Sequence, residues 1–185
     1  YYTVAAEEWN TANAWPVKNT TNTNLYLSAD NSLKTTSATS KADKVTYKID
    51  YTATSGKTSR GNSVTTLYKN GLTNYSLRNE EDQKLLCFTS SALTEPTEIT
   101  GHPVVKLNLA ADATDATVFA YLEDVAPDGS VTYVTEGMLR PMHRKVKDDA
   151  IYKTPYPDHT YNKTDILPVV KNEMMELEFD LLPIS

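Results

Sequence analysis

The sequence predicts an all-β protein, a β-sandwich or jelly roll with long loops and little helix. Two stretches, residues 45–52 and 175–181, alternate apolar and polar side chains with a period of two. Half-buried antiparallel strands show this alternation. Turn signals rich in Gly, Pro, Asn and Asp separate further short apolar runs. Many short strands joined by long connections favour a two-layer sandwich.

The first weak element lies near the N-terminus, where residues 5–14 could form a helix that Pro16 ends. A single turn or an irregular segment is an equal alternative there. Further strands are predicted at residues 45–52, 85–88, 104–109, 118–122, 131–134 and 175–181. Turns are predicted at Asp30-Asn31, Asn70-Gly71, Gly101-His102-Pro103 and Pro127-Asp128-Gly129. The last of these separates two strands and is typical of a hairpin loop.

Three polar or proline-containing stretches are predicted surface loops, at residues 35–43, 54–63 and 147–165. We therefore predict one domain over residues 1–185. Within it, residues 1–44 form an entry segment and loop, and residues 45–185 form the main sandwich. The first four residues have neither the basic segment nor the apolar stretch of a signal peptide. They resemble the inside of a strand, so we expect a fragment of a larger protein.

The charge and composition of the chain limit the kinds of partner that it can bind. The net charge of the 185-residue chain is -6. Because phosphate binding needs clustered Lys and Arg, we predict no nucleic-acid partner. No apolar run approaches the ~20 residues of a membrane span, so no membrane partner is predicted. Cys87 is the single cysteine, so no internal disulfide can form, and cysteine content does not indicate the cellular compartment. The many Ser, Thr and Asn residues lean slightly towards a secreted or periplasmic location.

The sequence offers no catalytic set. A serine hydrolase of the α/β class places its nucleophile in G-x-S-x-G, and Gly61-Asn62-Ser63-Val64-Thr65 matches only the first half of this motif. The three histidines have no second ligand at zinc spacing. The carboxylates near predicted strand ends lack the order of a calcium loop; they are Asp112, Asp115, Glu123, Asp124 and Asp128. No catalytic residue, metal or cofactor is predicted.

Four residues are candidates for contact with a substrate or a partner domain: Trp9, Trp15, Arg140 and His143. The two tryptophans bracket the N-terminal segment. Exposed indole rings could stack on a sugar or contact another domain, while a core or inter-domain position is the simpler interpretation. Arg140 and His143 belong to the short basic cluster at residues 140–147.

Three ordered motifs carry a resemblance to a known family. Residues 97–103 read T-E-I-T-G-H-P, residues 122–129 read L-E-D-V-A-P-D-G, and residues 137–144 read G-M-L-R-P-M-H-R. They resemble the T-E-[VI]-T-G-x-P, L-x-D-V-x-P-D-G and G-x-L-R-x-x-H-R patterns of the C-terminal domain of X-Pro dipeptidyl-peptidases and CocE/NonD hydrolases. Shorter likenesses at residues 7–27, 51–56 and 167–185 extend the resemblance over nearly the whole chain.

The resemblance implies an accessory, non-catalytic domain of a serine hydrolase that acts on X-Pro peptides, acyl groups or esters. Its partner would be the catalytic α/β-hydrolase domain of the same parent chain, whose Ser, Asp and His precede Tyr1. The fold it implies is a jelly-roll β-sandwich of the galactose-binding-domain kind. This jelly roll would pack on the catalytic and cap domains and help to shape the substrate site.

The chain departs from the family in two places. Leu182 stands where the family often has Trp, and the family usually continues beyond the position of Ser185. A missing last strand would leave a sheet edge with unpaired backbone groups, so self-association through that edge is predicted.

Two other classes of function stay open. A carbohydrate-binding module can share a similar fold, and an interaction module of a secreted multidomain protein is also compatible with it. Both tryptophans exposed in one groove would favour the first of these. An upstream sequence without a nucleophile elbow would favour the second.

Overall fold

The computed structural model describes residues 1–3, 6–37, 44–54, 78–148 and 154–185. In these ranges β-strands dominate, and the predicted all-β class is confirmed. The strands are β1 (Tyr2–Thr3), β2 (Glu8–Trp9), β3 (Tyr26–Leu27), β4 (Ser32–Lys34), β5 (Thr89–Ser90), β6 (Val104–Leu109), β7 (Val118–Val125), β8 (Val131–Leu139) and β9 (Met175–Asp180). The helix α1 (Arg78–Asp82) and two 3-10 turns, Pro141–His143 and Lys163–Asp165, are short.

The chain divides into two compact units. The first, the β6–β9 unit, comprises Tyr1–Thr20, Glu98–Leu122 and Val134–Ser185. The second, the α1 unit, comprises Thr21–Thr97 and Glu123–Tyr133. The jelly-roll strand order and the single-domain organisation stay predictions.

The core of the β6–β9 unit is built on the antiparallel pair β6 and β9, with Val104 opposite Asp180 and Leu109 opposite Met175. The predicted period of two holds in β9, where Met175, Leu177 and Phe179 are buried. Burying each such side chain contributes about 1.5–3 kcal/mol. Leu139, Val169 and Leu181 complete this buried cluster. Partly buried residues pack against it: Val105, Leu107, Leu109, Ala111, Val118, Ala120, Leu122 and Met142.

Gly101 lies in an isolated β-bridge, where a turn was predicted at Gly101-His102-Pro103. It forms an isolated antiparallel bridge with Ile184, and backbone hydrogen bonds of 2.9 Å run in both directions between the two residues. Gly101 has a φ of 136°, which L side chains rarely adopt. The turn prediction is wrong there because the glycine serves a backbone pairing with the C-terminal segment.

The β7–β8 hairpin loop at Pro127-Asp128-Gly129 is confirmed. The Gly129 N–H donates to the Ala126 carbonyl at 2.8 Å, and Gly129 has a φ of 83°. Asp128 Oδ1 accepts hydrogen bonds from both the N–H and the hydroxyl of Ser130. These contacts lower the pKa of Asp128. The motif residues at this position therefore have a local structural role.

In the α1 unit, β3 and β4 form an antiparallel pair and β5 runs parallel to β4. The predicted turn at Asp30-Asn31 is confirmed, and Asn31 has a φ of 61°. The strand predicted at residues 85–88 is wrong. The Leu85 N–H donates to the Asp82 carbonyl and so closes the end of α1, and the strand begins only at Thr89.

The strand predicted at residues 45–52 is also wrong. The four alternating apolar side chains in this stretch, Val45, Tyr47, Ile49 and Tyr51, are exposed. Asp50 accepts hydrogen bonds from the N–H and hydroxyl of Thr52 and closes a turn. The described residues therefore show a polar turn where a sheet face was expected.

The N-terminal segment forms a small hairpin and not the weak helix considered for residues 5–14. Tyr2 lies opposite Trp9 and Thr3 opposite Glu8 in antiparallel β1 and β2. Glu7, directly before β2, has a φ of 54°.

Several predictions fall outside the described residues, namely the Gly61–Thr65 half-motif, the Asn70-Gly71 turn and most of the two polar loops. The described part of residues 147–165 is irregular, as predicted, apart from a bridge between Val146 and His159 and one 3-10 turn. In the ranges that the structure describes, we find no helix long and apolar enough to span a membrane.

Candidate functional site

Trp9 is the most prominent exposed aromatic side chain of the N-terminal hairpin. Its ring packs at a tilt on Tyr2, the residue directly opposite, with 5.3 Å between ring centroids. Such cross-strand aromatic pairs stabilise short hairpins by up to about 1 kcal/mol. Even so, 81% of Trp9 stays accessible. The hairpin presents this ring on the surface, so a core position for Trp9 is wrong.

Trp15 contacts the first residue of the chain. Its ring stands edge-on to Tyr1 at 6.1 Å and edge-on to His102 at 6.4 Å. It remains 43% exposed. We call Tyr1, Tyr2, Trp9 and Trp15 the N-terminal aromatic patch.

His102 anchors this patch to the β-sheet. Its imidazole stacks on Tyr156 with 4.1 Å between centroids and an interplanar angle of 21°. Its Nδ1 lies 3.5 Å from Oδ2 of Asp180, at the end of β9. The sequence marked His102 only as a turn residue and gave no sign of Tyr156 or Asp180, because the three residues are brought together by tertiary structure.

Arg140 forms a surface ion pair. Its Nε and Nη2 donate to the two carboxylate oxygens of Asp115 at 3.0 and 2.6 Å. This bidentate contact holds the pKa of Asp115 below its usual range. Both side chains are exposed. Asp115, considered as a calcium ligand from the sequence, is thus engaged by a guanidinium group.

His143 ends the 3-10 turn that follows β8. Its ring packs at a tilt on Tyr161 with 5.3 Å between centroids. Each of the four candidate residues therefore has its own neighbour: Trp9 has Tyr2, Trp15 has Tyr1 and His102, Arg140 has Asp115, and His143 has Tyr161.

The arrangement suits binding better than covalent chemistry. The rings of His102 and His143 contact aromatic side chains, and that of His159 lies between backbone carbonyls. Within the described ranges, no group of three His, Cys, Asp or Glu residues could hold a metal ion. Exposed indole rings are the side chains that contribute most at protein interfaces.

The comparisons with known proteins agree with the motifs. The model of the X-Pro dipeptidyl-peptidase C-terminal non-catalytic domain matches residues 2–185, and the chain belongs to this family. Over 186 aligned residues it is 40% identical to proteins named "Putative serine esterase" from Mycobacterium bovis and Mycobacterium tuberculosis. It is 28% identical over 158 residues to the cocaine esterase of a Rhodococcus species.

The lengths of these relatives differ greatly from that of the chain. The alignment covers the whole of this chain, whereas it covers only 29% of each mycobacterial protein. For the cocaine esterase it covers 78% of this chain and 26% of that enzyme. The chain thus spans less than a third of the length of the curated relatives it matches.

Proposed function

We propose that this chain is the accessory C-terminal domain of an α/β-hydrolase-type serine hydrolase acting on esters, acyl groups or X-Pro peptides. In this role it packs on the catalytic and cap domains and helps to shape the substrate site. The family match over residues 2–185 carries the proposal. The esterase names of relatives more than three times as long support it.

The N-terminal aromatic patch is the surface that best suits contact with a catalytic domain. Trp and Tyr are enriched in the buried centres of protein interfaces. Here one indole is 81% exposed although its strand β2 pairs with β1. The Ser185 hydroxyl donates to the Tyr2 carbonyl at 2.6 Å, and so ties β1 to the C-terminal segment. A side chain that is already held in place loses little conformational entropy when a partner covers it.

A hydrolase assay tests whether the catalytic nucleophile lies outside this chain. We expect the 185-residue chain alone to hydrolyse neither p-nitrophenyl acetate nor Ala-Pro-p-nitroanilide above a boiled control. The full-length gene product should hydrolyse at least one of them, because the nucleophile would lie in its catalytic domain. Saturable turnover by the chain alone, abolished by a serine-directed inhibitor, would contradict the proposal.

The packing role predicts a specific effect of Trp9→Ala. In the full-length gene product, this change should shorten the half-life of hydrolase activity at elevated temperature by about tenfold or more, since a central interface aromatic contributes about 2 kcal/mol. In the 185-residue chain alone, the change should cost less than about 1 kcal/mol, because the indole is already exposed. Half-life and circular dichroism measure the two effects.

Tyr51→Ala is the matched control for that experiment. Tyr51 is 91% exposed and belongs to the other unit, so its removal should leave the half-life unchanged. An equal loss in both variants, or no loss in either, would argue against docking through the patch.

A carbohydrate-binding role is the second candidate, because both tryptophans are exposed and neither is part of the core. Titration of the chain with mono- and oligosaccharides, followed by tryptophan fluorescence, separates the two candidates. Saturable quenching that Trp9→Ala and Trp15→Ala each abolish would favour the carbohydrate-binding role.

Self-association through a sheet edge stays a prediction, which sedimentation velocity tests.

A further inference from the structure

His159 is a buried histidine with a backbone carbonyl at each ring nitrogen. Only 8% of the residue is exposed. Its Nδ1 lies 3.1 Å from the carbonyl oxygen of Lys145, and its Nε2 lies 3.0 Å from that of Glu178. Both distances are those of hydrogen bonds.

The ring joins three separate segments of the β6–β9 unit. His159 pairs with Val146 in an isolated antiparallel bridge, and the Lys147 N–H donates to the Asp158 carbonyl at 2.8 Å. Glu178 belongs to β9, whose apolar side chains form the core. The imidazole therefore connects residues 145–147 and residues 158–159 to the central strand.

The two contacts together require a proton on each ring nitrogen. A carbonyl oxygen only accepts hydrogen bonds, so each ring nitrogen must carry a proton to make its bond. Neutral imidazole has one N–H, and its second nitrogen would point a lone pair at a carbonyl oxygen about 3 Å away. Imidazolium donates from both nitrogens and satisfies both carbonyls. A buried polar group without its hydrogen bond costs about 1–3 kcal/mol.

The charged side chains of the two residues whose carbonyls contact the ring form ion pairs of their own. The Lys145 ammonium pairs with the Asp165 carboxylate, and the Glu178 carboxylate pairs with Lys106 at 3.0 Å. The Tyr161 ring lies 6.0 Å from the His159 ring, and His143 contacts that same tyrosine. The remaining charged neighbours along the bridge are Lys147 and Asp158. The two carbonyl oxygens lie at hydrogen-bonding distance from the ring nitrogens.

We propose that His159 is a proton-dependent latch. With both ring nitrogens protonated, it ties residues 145–147 and 158–159 to β9. Loss of one proton breaks one of the two ties and leaves one of the two carbonyl oxygens without its donor from the buried ring. The segment after the latch contains Tyr161 in a left-handed conformation, with a φ of 53°. Release of the latch loosens this segment and with it the surface on which His143 packs.

Hydrogen–deuterium exchange of the full-length gene product tests the latch. Exchange is measured at pH 5.5 and pH 8, on either side of the range in which histidines usually titrate, and corrected for the intrinsic pH dependence of exchange. Peptides covering residues 145–147 and 158–161 should lose about tenfold or more of their protection at pH 8, as expected for one charge-assisted hydrogen bond. Peptides from the core strand β6 should change much less.

Three variants identify the responsible histidine. His159→Gln should remove the pH difference, whereas His143→Gln and His102→Gln should keep it. His102→Gln is the most demanding control because His102 stacks on Tyr156 in the same part of the chain. Equal protection of the wild-type peptides at both pH values would overturn the proposal, and this readout needs no variant to fold. Loss of the pH difference in His102→Gln but not in His159→Gln would overturn it as well.

Discussion

Gly137→Ala is expected to destabilise the chain by about 2–3 kcal/mol, as overpacking of a tight contact does. A Cβ at position 137 would lie 2.4 Å from the Asp180 carbonyl oxygen and 2.7 Å from the Leu181 Cδ2. The first of these is a backbone atom, so rotation of a side chain cannot relieve the contact. The backbones of β8 and of the end of β9 therefore meet at this glycine.

The neighbouring hydrogen bonds prevent the two segments from moving apart. The Leu182 N–H donates to the Glu136 carbonyl at 2.9 Å, and the Thr135 hydroxyl donates to the Leu182 carbonyl at 2.8 Å. Thr135 is fully buried, so a shift that broke its bond would leave a buried polar group unpaired. The variant must either keep the steric clash or lose these bonds.

Urea unfolding followed by tryptophan fluorescence measures the loss. Gly129→Asn is the matched control, since a Cβ there would have no atom within 4 Å and Asn tolerates the φ of 83°. It should change the free energy of unfolding by less than about 1 kcal/mol. If Gly137→Ala unfolds at the same urea concentration as the wild type, the close approach of β8 and β9 is not a feature of the folded protein.

Sequence patterns predicted strands well where a second strand was available to pair. Residues 104–109 and 175–181 were predicted as strands, and the observed strands β6 and β9 pair with each other over their whole length. Residues 45–52 have the same alternation but lie exposed, and Asp50 closes a turn within them. Periodicity describes one strand, while a strand forms only with a partner, which the pattern of a single segment does not reveal.

The sequence predicted individual residues of the candidate site but not the contacts between them. Trp9 and Trp15 were recognised as aromatic residues that could lie on a surface. Their ring partners Tyr2 and Tyr1 follow from the hairpin, which was not predicted. His102, Tyr156 and Asp180 are far apart in the sequence, and only the fold brings them into contact. Spacing rules contain no information on such long-range contacts.

Loss of the Arg78 guanidinium is expected to have the largest effect of all. Arg78 is 2% exposed, and its Nε donates to Glu123 Oε1 at 2.5 Å while its Nη2 donates to Asp82 Oδ1 at 3.0 Å. Removing one partner of a buried ion pair costs about 3–5 kcal/mol, since the other charge is left uncompensated. Arg78→Met keeps most of the volume and should lose this amount at pH 7.5 in urea unfolding.

Of the two carboxylates that Arg78→Met leaves without their guanidinium partner, Glu123 makes the loss of stability depend on pH. Burial raises the pKa of Glu123, and removal of Arg78 takes away the charge that opposes this rise. The folded state of the variant then binds the proton more tightly than the unfolded state does. Its stability should increase as the pH falls through the folded pKa of Glu123, so the deficit relative to the wild type should be smaller at pH 5 than at pH 7.5.

Two further variants separate the ion pair from simple packing. Arg78→Met combined with Glu123→Met should recover a large part of the loss, because a buried pair can be replaced by apolar side chains at little cost. Arg78→Lys keeps the charge but lacks the planar fork that reaches both carboxylates, so its stability should lie between those of wild type and Arg78→Met. If the double variant were as unstable as the sum of the two single changes, Arg78 and Glu123 would not be coupled, and the destabilisation would come from lost packing around α1.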